Sequence, residues 1–368
     1  MLHLPVVIIG AGVTGLAIAR EVALKTNYEM VLFEKERFVG HHTSSRNSGV
    51  IHAGLYYERG GLKHKFCIEG NRLWDEFAHT LDVPLKRCGK FIIASNDEEL
   101  SRIDVLFAKA QGNGARVRFA NEAELRELRE YAIVKRAFLS LDTAIVDTSS
   151  LLCSLADDLY KRGVPIMLSH EVHNIRQEGE LFIIKAAAEE ISSNILINAG
   201  GPFAVSIRKM LGLHDLESIW VKGNYLKTRT PFYRKHLIYP VPPRDDKILG
   251  VHSTFDFQGD LRFGPDAEDI NLDQQSFSYE VSPATKERMW PHIAMRFPTI
   301  SYEELALDYA GIRPRIGHNG SKYNDFWIKS QTVANYIELC GVESPGLTSA
   351  PAIAKHIAAL VATMMEKR

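Results

Sequence analysis

The sequence predicts an α/β protein whose two domains interleave along the chain rather than follow one another. Three observations predict it. A short apolar run, Val6–Ile9, opens into a glycine-rich turn and a helix, as a parallel strand buried on both faces would. From 220 to 265 the texture changes to closely spaced strands and turns, and afterwards helices return. The chain's 368 residues are too many for one ordinary domain, yet no linker, repeat or low-complexity tract marks a boundary.

The opening unit carries the clearest chemistry. Gly10, Gly12 and Gly15 surround Val13 and Thr14, and Leu16–Leu24 reads as the helix that follows. The glycines permit a tight turn, close backbone approach to a pyrophosphate and close helix packing. The helix start offers free N–H groups and the positive dipole end to phosphates. A second apolar strand, Met30–Phe33, ends in Glu34, 19 residues after Gly15, placed to accept hydrogen bonds from ribose hydroxyls. Strand, turn, helix, strand and acid together predict a dinucleotide site. An acid at 34 also disfavours a 2′-phosphate, so NADP is not expected there.

The turn does not say which dinucleotide. A nicotinamide dehydrogenase would continue with regular βα units. Here Gly40-His-His-Thr-Ser-Ser-Arg-Asn-Ser-Gly-Val-Ile-His-Ala-Gly54 follows, dense in small and polar residues. Such a stretch can turn many donors toward a flat heteroaromatic ring, or it can be an ordinary polar loop.

Beyond it, Leu62, Phe66, Leu73, Phe77 and Leu81 keep helical spacing, so 62–81 is expected as an amphipathic helix. Lys90–Ala94 reads as a strand, and 97–112 and 121–130 as charged surface helices. Asp147 is a good N-cap for a helix to Arg162, which Gly163-Val-Pro breaks before a strand at Ile166–Leu168. Leu181–Ala187 is a further strand, and Asn194–Asn198 runs into Ala199-Gly200-Gly201, repeating the opening theme. Strands are then expected at Trp220–Thr228, Leu237–Val241, Ile248–His252 and Leu261–Gly264, and a helix over 283–307. The last section reads as a loop at Gly311–Gly317, a strand at Tyr336–Cys340, a turn at 341–348 and a helix at Ala350–Met364.

Composition excludes several classes. With 45% hydrophobic and 24% charged residues the chain is ordinary for a globular protein, and a net charge of -1 gives no bulk pull toward nucleic acid. Cys67, Cys88, Cys153 and Cys340 form no CxxC pair, so neither a metal site nor a disulfide scaffold is expected. No stretch approaches the roughly 18 consecutive apolar residues that span a bilayer. The N-terminus enters its first strand without a basic region or cleavage site, so the cytoplasm is the expected location.

At the motif level the chain resembles the D-amino-acid-oxidase-like FAD oxidoreductases, and within them the L-2-hydroxyglutarate dehydrogenase branch. The resemblance rests on Thr43–Tyr57, Lys222-Gly-Asn-Tyr-Leu226, Ile238-Tyr-Pro-Val-Pro242, Leu249-Gly-Val-His252, Phe263-Gly-Pro265 and Gly341-Val-Glu-Ser-Pro-Gly-Leu347, which run from end to end. It implies FAD as cofactor and a glutathione-reductase-type, Rossmann-like nucleotide domain, assembled from 1–50, 145–208 and 310–368. A substrate domain, α+β on a mixed sheet, is implied from 51–144 and 209–309. It implies that Val172 offers its backbone to the adenine and that Ala199 and Gly200 lie by the pyrophosphate with Gly10, Gly12, Val13, Thr14 and Gly15. Glu34 is expected at the ribose, and Lys35 beside it is a further cofactor-binding residue. Ser45, Arg46, Asn47, Ser48 and Gly49 would sit against the isoalloxazine ring, with Thr43, Ser44 and Val50 also at the cofactor. Gly341, Glu343, Ser344, Pro345, Gly346, Leu347 and Thr348 would follow the ribityl chain and the pyrimidine end of the flavin. Lys35 and Lys222 stand where relatives often carry arginine, keeping the charge but losing its bidentate fork.

What the resemblance implies about activity is the oxidation of a 2-hydroxy dicarboxylic acid, L-2-hydroxyglutarate first, to the 2-oxo acid. That reaction moves a hydride from C2 to flavin N5 and a proton from the hydroxyl to a base. Histidine suits the base because its pKa lies near neutrality, and His52 and His252 are the candidates, each ending an apolar run inside a motif. Two carboxylates call for two cations. Arg313, which matches the position where the family's amino-acid oxidases hold the substrate carboxylate, is expected for one, and Lys222 for the other. Tyr57 and Tyr239, with Tyr56, are secondary hydroxyl donors. The expected partners are a small hydroxy or amino acid and an electron acceptor, a quinone being one option, with no nucleic acid and no integral membrane segment. A peripheral contact at the inner face of the cell membrane stays open. The alternative within the fold is an amine oxidase for glycine, sarcosine or proline; in another class it is a non-catalytic FAD-binding protein.

Overall fold

The computed structural model describes residues 1–242, 251–270 and 277–366. Leu2–Ile9 and Met30–Phe33 pair in parallel, Val6 opposite Met30, as their unbroken apolar runs require. Glu189–Asn198 flanks Leu2–Ile9 on the other side, and Ile166–Met167 lies outside Met30–Phe33. The antiparallel strands Val172–Glu178 and Leu181–Ala186 and the pair Trp327–Lys329 and Tyr336–Cys340 complete an eight-stranded sheet.

Helices Val13–Lys25, Thr148–Lys161 and Gly346–Glu366 bury one face of that sheet, with Leu16, Ile18, Leu155, Ile353 and Ile357 in its core. Asp147 caps Thr148–Lys161 by accepting from the Ser150 N–H at 2.9 Å. Helix Leu62–Thr80 locks onto Gly346–Glu366: the buried Trp74 Nε1–H donates to the Thr348 carbonyl at 2.9 Å. A Cβ at Gly70 would sit 2.1 Å from that same carbonyl oxygen, so only glycine permits this approach.

A second, ten-stranded sheet is mixed. Its centre runs from Leu216–Thr228 through Leu261–Gly264, His252–Phe255 and Leu237–Pro240 to Lys90–Ala94, which is parallel to Leu237–Pro240. Three short strands, Val50–Ile51, Ala144–Val146 and Leu85–Lys86, form a separate small sheet.

The sequence reading departs from this fold in four places. Gly311–Gly317 is not a loop but the middle of the strand Ala306–His318, in register with Leu216–Thr228. Among the described residues its outer side is unpaired until Ile316, an edge position that tolerates Pro314, and Gly311 faces Gly223 across the ladder. This strand belongs to the second sheet although it runs past position 310. The helix expected over 283–307 stops at Ala294, before Pro298 disfavours helical backbone at the residue preceding it. The last helix starts at Gly346, so Gly346, Leu347 and Thr348 are its first turn rather than part of a loop. That helix is also long and apolar enough to cross a bilayer, although just over half of its most apolar window is buried inside the protein. Residues 248–250 of the strand expected at Ile248–His252 lie outside the described residues, and the observed strand is His252–Phe255.

Candidate active site

One cavity of about 1350 Å³ runs between the two large sheets. Pockets for drug-sized ligands span about 300–1,000 Å³, so this one has room for a dinucleotide and a second small molecule.

Gly10, Gly12, Val13 and Thr14 line one end of it. Gly10 has φ +103°, and a Cβ there would lie 2.5 Å from the Ala199 carbonyl oxygen. Gly15 does not line the cavity; its Cα presses on the Gly10 carbonyl, where a Cβ would be 2.0 Å away, so it shapes the turn from behind. Glu34, 8% exposed, accepts from the Ala11 and Glu36 N–H groups at 2.9 Å each. Burial raises its carboxyl above the ordinary value, and those two donors oppose the rise. Lys35 lines the same end, its ammonium 3.6 Å from the centre of the Phe203 ring. Val172 lies there too, with His170 and Glu171, as do Ala199 and Gly200.

The segment from Gly40 is built by its own side chains. Ser44 Oγ accepts from the Val13 N–H at 2.9 Å, tying it to the glycine turn, and Thr43 Oγ donates to the Ile312 carbonyl at 3.0 Å. The Asn47 amide bridges the Ser44 carbonyl at 2.7 Å and the Gly49 N–H at 2.8 Å. Thr43, Ser44, Arg46, Asn47, Ser48 and Val50 face the cavity. Ser45 does not, since its hydroxyl turns back to the His41 carbonyl at 3.2 Å. Gly49 does not either; at φ +65° it is pressed under the Val146 carbonyl. On the facing wall Glu343, Ser344, Pro345, Gly346, Leu347 and Thr348 line the cavity, whereas Gly341, at φ +66°, makes the bend behind them.

At the far end His52, Tyr56, Tyr57, Tyr239, His252 and Arg313 converge from four separate stretches of chain. His52 is fixed at both ends: its N–H donates to Thr348 Oγ at 2.9 Å, and Nε2 lies 3.3 Å from Ser344 Oγ. His252 stacks flat on Tyr239, ring centres 3.7 Å apart. Burial first, then the charges of Lys90 and Arg313, hold the His52 imidazole down to about 3, and the same causes hold His252 well below its ordinary value. Both rings are therefore neutral proton acceptors at physiological pH. Burial lifts the hydroxyls of Tyr57 and Tyr239 well above 10, so they act as O–H donors. The Tyr56 hydroxyl is buried without a partner and lines the cavity, a polar atom waiting for one.

Arg313 stands 4.0 Å from Glu343. That carboxylate is more firmly held by Lys63 at 2.9 Å and Arg315 at 3.2 Å. Burial alone would raise the Glu343 carboxyl, but Lys63, Arg315 and Arg313 hold it down to about 2. It is thus an ionic hinge of the wall rather than a free acceptor for a cofactor.

Lys222 is not part of this end. The ladder pairs Lys222 with Ile312 and Val221 with Arg313, which puts Lys222 and Arg313 on opposite faces of the sheet. Its ammonium donates to the Glu280 carbonyl and the side chain lies outside the cavity. Lys63, Arg315 and Tyr225 line the cavity without having been expected there. Arg315 follows Arg313 by two and so shares its face once 306–318 is a strand. Lys63 reads in sequence as a solvated position of an amphipathic helix, and Tyr225 sits unassigned inside a quoted motif.

The glycine turn at a helix start, the acid at the second strand's tip, the room and the unpartnered hydroxyl fit a dinucleotide and a small substrate. A family model described as FAD dependent oxidoreductase matches residues 5–360. The mitochondrial L-2-hydroxyglutarate dehydrogenase of Arabidopsis thaliana is 32% identical, over 96% of this chain and 82% of its own. The glycerol 3-phosphate dehydrogenase of Caloramator mitchellensis is 30% identical, over 98% and 74%. Among solved structures, the dithionite-reduced L-α-glycerophosphate oxidase of Mycoplasma pneumoniae with FAD bound superposes with a TM-score of 0.88 at 24% identity, over 98% of this chain and 95% of that one.

Proposed function

The chain belongs to the family of FAD-dependent oxidoreductases, and from that premise we propose that it oxidises a 2-hydroxy dicarboxylic acid, L-2-hydroxyglutarate first, to its 2-oxo acid. The observation that carries this reading is the inner end of the cavity, where Arg313 and two neutral histidines converge. An anionic alcohol supplies what that end lacks: a carboxylate for the guanidinium and a hydroxyl proton for an imidazole. The names of the relatives from Arabidopsis and Caloramator point the same way, since both act on a hydroxyl borne by an anion.

Bound FAD supplies the two-electron acceptor for the hydrogen on the carbinol carbon. The glycine turn and the wall from Thr43 to Val50 would hold it. Arg313 would bind the C1 carboxylate and fix the carbinol carbon in one orientation. The hydroxyl proton would pass to Nε2 of His52, whose ring Ser344 contacts and whose backbone N–H Thr348 holds, and His252 is the alternative acceptor. Tyr57 and Tyr239 would donate to substrate oxygens.

Steady-state kcat/KM with an artificial electron acceptor tests the reading across L-2-hydroxyglutarate, its D enantiomer, sn-glycerol 3-phosphate and glycine. The proposal requires L-2-hydroxyglutarate to lead by about 100-fold or more. A lead for glycerol 3-phosphate would keep the oxidation of an anionic alcohol and replace the substrate; a lead for glycine would overturn it.

A further inference from the structure

Lys90 is 1% exposed, on the strand Lys90–Ala94 with Leu237 beside it in the ladder. Its ammonium lies 4.3 Å from the centre of the Tyr239 ring and 5.5 Å from that of Tyr56. His252 already covers one face of Tyr239 in parallel contact at 3.7 Å, so Lys90 occupies the other. Ammonium, phenol ring and imidazole form one stack that ends at the cavity.

A buried ammonium without a counter-charge is strongly unfavourable. Among the described residues the other buried cations are provided for: Arg20 meets Asp158, Lys63 meets Glu343, Arg208 meets Glu338, and Lys222 meets a carbonyl. Lys90 makes no such contact with any described residue. The titratable groups around it are the thiols of Cys67 and Cys88, the phenols of Tyr56 and Tyr239, the imidazoles of His52 and His252, and Arg313. Burial pushes Cys67 up to about 12, Cys88 up to about 11 and both phenols well above their ordinary value, so none of them is an anion near neutrality. Nothing in this shell neutralises the charge.

We propose that Lys90 is a positioning residue of the substrate site, a buried cation whose counter-charge is a carboxylate of the bound acid, acting across the rings of Tyr239 and Tyr56. It takes over the second cationic role that the sequence reading gave to Lys222. The inference rests on the proposed function only in requiring an anionic substrate. The charge of Lys90 adds to the burial that keeps both histidines neutral, leaving the imidazoles free to accept a proton. It also sets a pH limit. Burial brings Lys90 down to about 8, so an empty site loses this charge as pH rises through 8, before any arginine deprotonates. Anion affinity must fall across the same range.

The test is titration of the flavin's visible spectrum with glutarate, the dicarboxylate that lacks the reacting hydroxyl, at constant ionic strength from pH 6.5 to 9.5. It compares the wild-type holoenzyme with Lys90→Met and Lys90→Arg, each checked for FAD content and melting temperature. Wild-type affinity is expected to fall by up to about 10-fold per pH unit above 8. Lys90→Met should bind about 10-fold or more weakly at pH 7, without pH dependence and with no loss of melting temperature, because an apolar group replaces an unpaired buried charge. Lys90→Arg should restore affinity at pH 7 and abolish the decline. A flat wild-type profile, wild-type affinity in Lys90→Met, or a Lys90→Met that melts lower or loses FAD would overturn the proposal. If the variants behave as expected while L-2-hydroxyglutarate fails to reduce the flavin, the substrate assignment fails and the role of Lys90 stands.

Discussion

Glu343→Gln separates the two demands that meet at the wall of the site. The carboxylate lies 2.9 Å from Lys63, 3.2 Å from Arg315 and 4.0 Å from Arg313, with its side chain 12% exposed. These cations hold it at about 2 against an ordinary 4.5, a gap worth about 3 kcal/mol of stability at neutral pH. The sign follows from the direction. A carboxyl with a depressed folded-state pKa stabilises above 4.5, and its contribution vanishes as pH falls toward 2. The amide should therefore lower the melting temperature by roughly 4 °C at pH 7, measured at matched FAD saturation, and by less at pH 4. The same change removes a negative charge from beside Arg313, so glutarate should bind more tightly while the protein becomes less stable. A variant that melts within 1 °C or so of wild type, or binds glutarate more weakly, would refute the assignment of Glu343 as the ion pair that restrains Arg313.

Other perturbations have distinct signatures. Gly10→Ala drives a Cβ to 2.5 Å from the Ala199 carbonyl at φ +103°, and should yield protein with little yellow colour and FAD affinity reduced about 100-fold or more; a normally loaded flavin would remove the turn from the cofactor site. Arg313→Ala should raise KM for the acid or abolish turnover while the flavin spectrum stays intact, and an unchanged KM would free it of the carboxylate role. His52→Ala should slow anaerobic flavin reduction by about 10²-fold or more, and a near-normal rate would transfer the base to His252. Because His52 is held at about 3, kcat/KM should show no acid limb between pH 5 and 7; a limb near 6.5 would mean the imidazole is not buried as described.

The dinucleotide half of the molecule was open to reading because its chemistry is local. Strand, glycine turn, helix and acid lie within 34 residues, and each obeys a rule of backbone geometry. Strands such as Met30–Phe33 and Tyr336–Cys340 appear with their expected limits, since fully buried strands are continuous apolar runs. The reactive end was legible as a set of residues but not as an arrangement. His52, Tyr239, His252 and Arg313 are brought together by the second sheet and the helix Gly346–Glu366, and nothing local encodes that. The misplacement of Lys222 shows why: a strand's side chains alternate, so one step of register against Arg313 decides which face a cation serves. Gly311–Gly317 misled because glycine and proline usually punctuate, whereas here Gly311 lets the strand pass Arg46, where a Cβ would meet the carbonyl oxygen at 2.1 Å. Lys90 looked like an ordinary strand lysine, and only its burial beside Tyr239 sets it apart.

The central claim, that this family member oxidises a 2-hydroxy dicarboxylate over its flavin, is met most directly by a single anaerobic mixing experiment. Purified holoenzyme and L-2-hydroxyglutarate are combined without oxygen or any other acceptor, and the flavin band is followed in time. The account predicts complete bleaching at a saturable rate, with stoichiometric 2-oxoglutarate in the quenched mixture. An undiminished band with L-2-hydroxyglutarate, alongside rapid bleaching by glycine or another amino acid, would contradict it.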